Sequence, residues 1–112
     1  MKQIDEMSIP ELSHAIQRKE GDLAECMNTL ENWKSDAEEQ KAFIYLGILP
    51  IAELKTEKAK EAKVTALLCT DQRYLDAYQG ILQMKELAAM NRANIDHLKR
   101  IFAYKMAQLA HQ

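Results

Sequence analysis

The sequence predicts an all-α protein: a long helical hairpin of two coiled-coil-like helices with a short helix between them, assembling into an oligomeric helical bundle. Three observations predict it. Turn residues are scarce, with three glycines and two prolines in 112 residues, and from Ile51 onward only Gly80 and no proline. Tight turns and β-hairpins therefore lack the residues they need. The strong helix formers Ala, Leu, Lys, Glu, Gln and Met dominate. Finally, apolar residues recur at alternating spacings of three and four along two stretches, about 9–46 and 72–110, which is the mark of a helix packed along its length against a partner.

The first helix opens at Ser8-Ile9-Pro10-Glu11. Ser8 is placed to cap it, Glu11 to return the bond three residues later, and Pro10 fits the first turn. Its seam is Leu12, Ile16, Lys19, Leu23, Cys26, Leu30, Trp33, Ala37, Gln40 and Ile44, apolar or Cys except at Lys19 and Gln40. Gly21 is expected to weaken or kink this helix, at about 1 kcal/mol relative to Ala. Gly47 is expected to cap its C-terminus and Pro50 to stop it. The segment Phe43–Ile51 is too apolar for a solvated loop, so it is expected to fold over a core or to lie in an interface.

Thr56 is the expected cap of the short helix, which alternates in charge and reaches about Leu68. Thr70 or Asp71 is the expected cap of the last helix. Its seam runs Tyr74, Ala77, Ile81, Met84, Ala88, Asn91, Ile95, Leu98, Phe102, Lys105, Leu109. Asn91 is the candidate for a buried polar residue that fixes register and partner number. A second stripe, Tyr78, Leu82, Leu87, Ile101 and Met106, widens the apolar face enough to serve more than one partner. At 1.5 Å per residue the last helix is about 58 Å long. Two such helices are not expected to make a compact monomer, so copies of the chain are expected to pair. Leu23, Leu30, Trp33, Ile81, Asn91, Ile95, Leu98 and Phe102 are the candidate interface. Periodicity alone leaves open whether seams meet within one chain or between chains.

The length suits a single helical domain, 1–112. Net charge is −2 but unevenly spread: residues 1–46 carry five basic and ten acidic side chains, and the remainder ten and seven. Cys26 and Cys69 match no metal or redox spacing and read as buried thiols in a reducing cytosol. The N-terminal residues lack the apolar core of a secretory leader, and the longest apolar run, Ala42–Ala52, is too short to span a bilayer. A cytoplasmic protein is expected.

Reactive constellations are missing. There is no glycine-rich phosphate loop, Gly-x-Ser-x-Gly, Cys-x-x-Cys or His-Glu-x-x-His. One Glu-x-x-His pair, Glu11 and His14, falls short of the two that a di-metal bundle needs. Asp96 and His97 are adjacent, hence about 100° apart on a helix and unable to form a dyad. The expectation is a non-enzymatic protein without metal or cofactor. What remains is surface: Lys55, Lys58, Lys60 and Lys63 crowd one segment, and Arg92, Lys99, Arg100 and Lys105 lie on the last helix. Basic residues of this kind suit a nucleic-acid backbone, and Tyr74, Tyr78 and Tyr104 are candidates to stack on bases. Glu57 and Glu61 between the lysines suit an ordinary solvated face equally.

Three groups of residues carry a family resemblance: Val64-x-x-Leu67-x-x-x-Asp71, Arg73-Tyr74-Leu75-Asp76-Ala77-Tyr78 and Asn91-Arg92-x-x-Ile95-x-His97. In their order and spacing, the stretch from about Lys63 to Ala107 resembles the C-terminal part of UvsY-type phage recombination mediators. The resemblance implies a helical fold, ring-like oligomers in the host cytoplasm, and contacts with single-stranded DNA and a recombinase. The residues nearest to a match for the family's basic DNA-binding stretch are Lys55, Lys58, Lys60 and Lys63; Arg92 on the last helix is a further candidate nucleic-acid contact. A phage-encoded recombination accessory protein is thus the leading expectation. The rival is a coiled-coil protein–protein adaptor, assembly factor or inhibitor that binds no nucleic acid.

Overall fold

A computed structural model describes residues 3–111. Met1, Lys2 and Gln112 lie outside the described residues. The described chain is all-α, with a short 3-10 turn at Ile4–Glu6 followed by α1 (Ile9–Ile48), α2 (Glu57–Leu68) and α3 (Gln72–Ala110). No described helix is long and apolar enough to cross a membrane.

The helix starts follow the sequence. Ser8 and Glu11 form the reciprocal box: the Ser8 N–H donates to Glu11 Oε1 at 3.2 Å, and the Glu11 N–H donates to Ser8 Oγ at 3.3 Å. Thr56 Oγ1 accepts from the Ala59 N–H at 3.0 Å. Of the two candidates for the last cap, Asp71 takes the role, its Oδ1 accepting from the Tyr74 N–H at 2.8 Å. Thr70 instead donates its hydroxyl back to the Leu67 carbonyl. Each side chain satisfies one of the N–H groups that a helix leaves without a partner at its start.

One expectation about glycine is corrected. Gly47 does not cap α1, because the helix continues through it to Ile48 and no described glycine has a positive φ. Gly21 lies within α1, which is helical throughout Ile9–Ile48. The stop falls at Leu49-Pro50, where the Ile51 N–H donates to the Ile48 carbonyl at 3.0 Å and proline cannot extend the helix.

The chain divides into two compact units, residues 1–28 with 85–112 and residues 29–84. In the first, the start of α1 and the end of α3 run antiparallel. Lys99 pairs with Glu20 at 4.0 Å across exposed surface, and Arg92 donates to Met27 Sδ at 3.5 Å. Leu12, Cys26, Ala88, Ile95 and Leu98 are buried here, as is Asn91, the one buried polar residue among those described. Lys105, a polar interruption of the α3 seam, donates to the carbonyls of Asp5 and Met7 and so holds the segment ahead of α1.

In the second unit, the rest of α1, all of α2 and the start of α3 enclose a core of Ile48, Val64 and Leu68. Ile44, Tyr45, Leu54, Leu67 and Tyr74 pack against it. Gln40, a polar position in the α1 seam, donates to Asp71 Oδ2 at 3.0 Å, tying α1 to the cap of α3. Gly80 is buried against Trp33: a Cβ built there would sit 2.5 Å from the indole Cδ2 and Cε2. A helix gives up about 1 kcal/mol to carry glycine in place of alanine, and here the indole ring occupies the space a side chain would need.

Candidate interaction surfaces

The seam residues expected between copies are packed inside the chain. Leu23, Asn91, Ile95, Leu98 and Phe102 are buried or half-buried in the first unit, and Leu30, Trp33 and Ile81 in the second. Leu30, Asn91, Ile95 and Leu98 are buried, whereas Leu23, Trp33, Ile81 and Phe102 keep part of their surface open. Cys26 is buried as expected, but Cys69 is exposed, because it lies just past the end of α2 and turns away from the Val64–Leu68 face.

The candidate nucleic-acid residues fall in both units, the four lysines in the second and Arg92 in the first. Lys55, Lys58 and Lys63 are exposed, whereas Lys60 is half-buried and paired with Glu57 at 3.5 Å. At about 100° per residue, Lys58 lies about 160° from Lys60 and about 140° from Lys63 around α2. Lys60 and Lys63, about 60° apart, share one side of α2, Lys58 lies on the other, and Lys55 precedes the helix. Arg92 belongs to the other unit, engaged with Met27. Of the three tyrosines, Tyr74 packs on the core and stacks on Tyr78 with ring centroids 6.4 Å apart, while Tyr104 is exposed. Among the described residues no three His, Cys, Asp or Glu side chains group as a metal site would require.

Apolar exposure is the more marked feature. The Phe43–Ile51 segment divides in two. Ile44 and Ile48 face the core, while Phe43 stays 71% exposed and Leu46 64%. Phe43, Leu46 and Ile51 line an open groove of about 570 Å³ with Gly47, Lys63 and Leu67. On its other side Leu46 borders a second groove of about 670 Å³, rimmed by Glu38, Lys41, Glu57 and Glu61. Both lie within the second unit. Most of the second α3 stripe is exposed too: Tyr78, Leu82, Leu87 and Met106 are open to solvent and only Ile101 is half-buried.

Sequence reasoning named the Phe43–Ile51 segment but not which of its residues stay outside. The signal was present. The seam ends on Gln40 and Ile44, so Phe43 and Leu46 fall beside it, at positions that are otherwise charged or polar through Lys41. No family model, no curated protein and no solved structure matches the chain.

Proposed function

We propose that this chain is a non-enzymatic helical module that binds other proteins, acting as an adaptor or assembly factor. The observation that carries this reading is the exposed apolar surface at Phe43, Leu46 and Ile51, set among charged residues. Contiguous apolar exposure rimmed by polar groups marks interaction sites. The test is recovery of protein partners from nuclease-treated lysate on immobilised wild-type chain and on Leu46→Glu. A stoichiometric partner retained by the first and lost by the second supports the reading. Identical profiles from the two would remove it.

A second reading, a recombination accessory protein that binds single-stranded DNA and a recombinase, draws on the UvsY-like spacing and on the exposure of Lys55, Lys58 and Lys63. Fluorescence anisotropy with labelled single-stranded DNA tests it at low and moderate salt. Absence of salt-sensitive binding at micromolar protein would rule it out, since backbone contacts release counterions and must respond to salt.

A further inference from the structure

We propose that the first unit carries a small-molecule site, between α1, α3 and the segment ahead of α1, that takes an amphipathic carboxylate: an anionic head on a short apolar chain. The proposal is independent of the protein-binding reading above, since it concerns another face and another class of ligand.

It starts from the polar interruptions of the two seams. Gln40 is answered by Asp71, and Lys105 by the carbonyls of Asp5 and Met7. Asn91 is buried, and no buried side-chain nitrogen or oxygen among the described residues lacks a partner. Lys19 is the fourth. It is half-buried in the α1 seam, yet it makes no hydrogen bond or ion pair among the described residues. A lysine can bury its stem and leave its ammonium in water. Lys19, however, lines a pocket of about 310 Å³.

The pocket has two kinds of wall. Ile4, Met7 and Leu98 make it apolar on one side. Lys105 holds the Ile4–Met7 segment by its main chain, so that wall is in place before any ligand arrives. On the other side Arg18 and Lys19, from α1, face Asn94 and His97, from α3. Two cations and further N–H donors therefore border one space. No described carboxylate lines it. Asp5, Glu6, Asp22 and Asp96 are nearby in sequence but exposed, and Glu20 is paired with Lys99.

These features select the ligand. Small-molecule sites span about 300–1,000 Å³ and join apolar walls to a few polar groups that fix orientation. This pocket is at the small end of that range. A carboxylate gives the Lys19 ammonium the charged partner it lacks, and hydrogen bonds between charged groups are the strong ones. A short alkyl chain then covers Ile4, Met7 and Leu98. An inorganic anion would leave those walls against water, and a neutral alcohol would leave Lys19 unpaired.

Amide chemical-shift titration of the isotope-labelled full chain tests this, with octanoate as the probe and octanol as its uncharged counterpart. Octanoate should give saturable shifts clustered at Ala15–Lys19 and Asn94–Leu98. Octanol should bind about tenfold or more weakly, and Lys19→Met should weaken octanoate by a similar factor. Lys19→Arg, which keeps the charge, should retain binding. Methionine preserves the apolar stem and is a good helix former, so the far-UV circular dichroism of Lys19→Met should match that of the wild type. If that variant misfolds, the comparison of octanoate with octanol on the wild type decides. The proposal is overturned by an absence of saturable shifts, or by shifts confined to the exposed apolar surface around Phe43 and Leu46. Equal binding of octanol and octanoate overturns it too, as does a folded Lys19→Met that binds octanoate as the wild type does.

Discussion

Gly80→Ala gives the most direct test of how the second unit is packed. Two effects oppose each other. Alanine gains about 1 kcal/mol of helix propensity over glycine in a helix interior. Against this, the new methyl would sit 2.5 Å from two carbons of the Trp33 ring and 2.7 Å from its Nε1, where non-bonded carbons rest at about 3.5–4.0 Å. Ring or helix must therefore retreat by about 1 Å, and overpacking of this kind costs about 1–3 kcal/mol. The net change lies between about zero and 2 kcal/mol of destabilisation. Gly21→Ala isolates the steric part, because it gains the same propensity and its Cβ would meet nothing within 4 Å. Urea denaturation followed by circular dichroism, at one protein concentration so that association stays constant, should place Gly80→Ala about 1–3 kcal/mol below Gly21→Ala. Trp33 is the sole tryptophan, so its emission reports the displaced ring without labelling. Relief by Trp33→Leu in the Gly80→Ala background, with a coupling of about 0.5–3 kcal/mol, would confirm the contact. If Gly80→Ala proves as stabilising as Gly21→Ala, the close packing of indole on helix backbone is wrong.

Further consequences concern the polar seam positions. Asp71→Ala removes both the α3 cap and the acceptor for Gln40, and should cost about 1–2 kcal/mol in urea unfolding. A loss no larger than that of Gln40→Ala would mean the cap contributes nothing. Lys105→Ala should release the Ile4–Met7 segment, seen as amide exchange at least about tenfold faster there, with the global midpoint nearly unchanged; unaltered protection at those amides would count against the anchor. Asn91→Leu should stabilise the chain by about 1 kcal/mol without altering its mass. Its seam is covered within one chain, whose connectivity already restricts register. A changed mass would restore to Asn91 the partner-selecting role that such residues hold between separate chains.

Much of the fold was legible because the helices start on strong local signals. The Ser8–Glu11 box, Thr56 and Asp71 place helix starts through bonds that span three residues, and the hydrogen bonds involved are those the sequence implies. Ends are harder. Gly47 looks like a C-terminal cap, yet α1 runs through it to Ile48, because the following backbone is arrested by Pro50 instead of by a left-handed glycine. The reasons for Gly80, Gln40 and Lys105 were not legible at all. Each is answered by a residue at least 31 positions away in sequence: Trp33, Asp71, and the main chain at Asp5 and Met7. Periodicity marks such positions as exceptions without naming what they meet.

A seam specifies a face of a helix but not the chain that covers it. The same three-four spacing would suit α1 against α3 of its own chain or of a neighbour, and helix length alone favoured the neighbour. In the structure most seam residues are buried or half-buried within the chain, while Leu109 at the end of α3 is exposed. Along α1 the exposed positions from Arg18 to Lys41 are mostly charged or polar; at Ala42 and Phe43 that pattern breaks, and Leu46 follows one turn on. A helix needs no apolar group on its solvent face to fold, and each one adds an aggregation hazard. Phe43 and Leu46, in adjacent turns, are the exposures that the proposed protein-binding role accounts for. The change in character of the off-seam positions, more than the seams themselves, is therefore where the proposal of a protein partner begins.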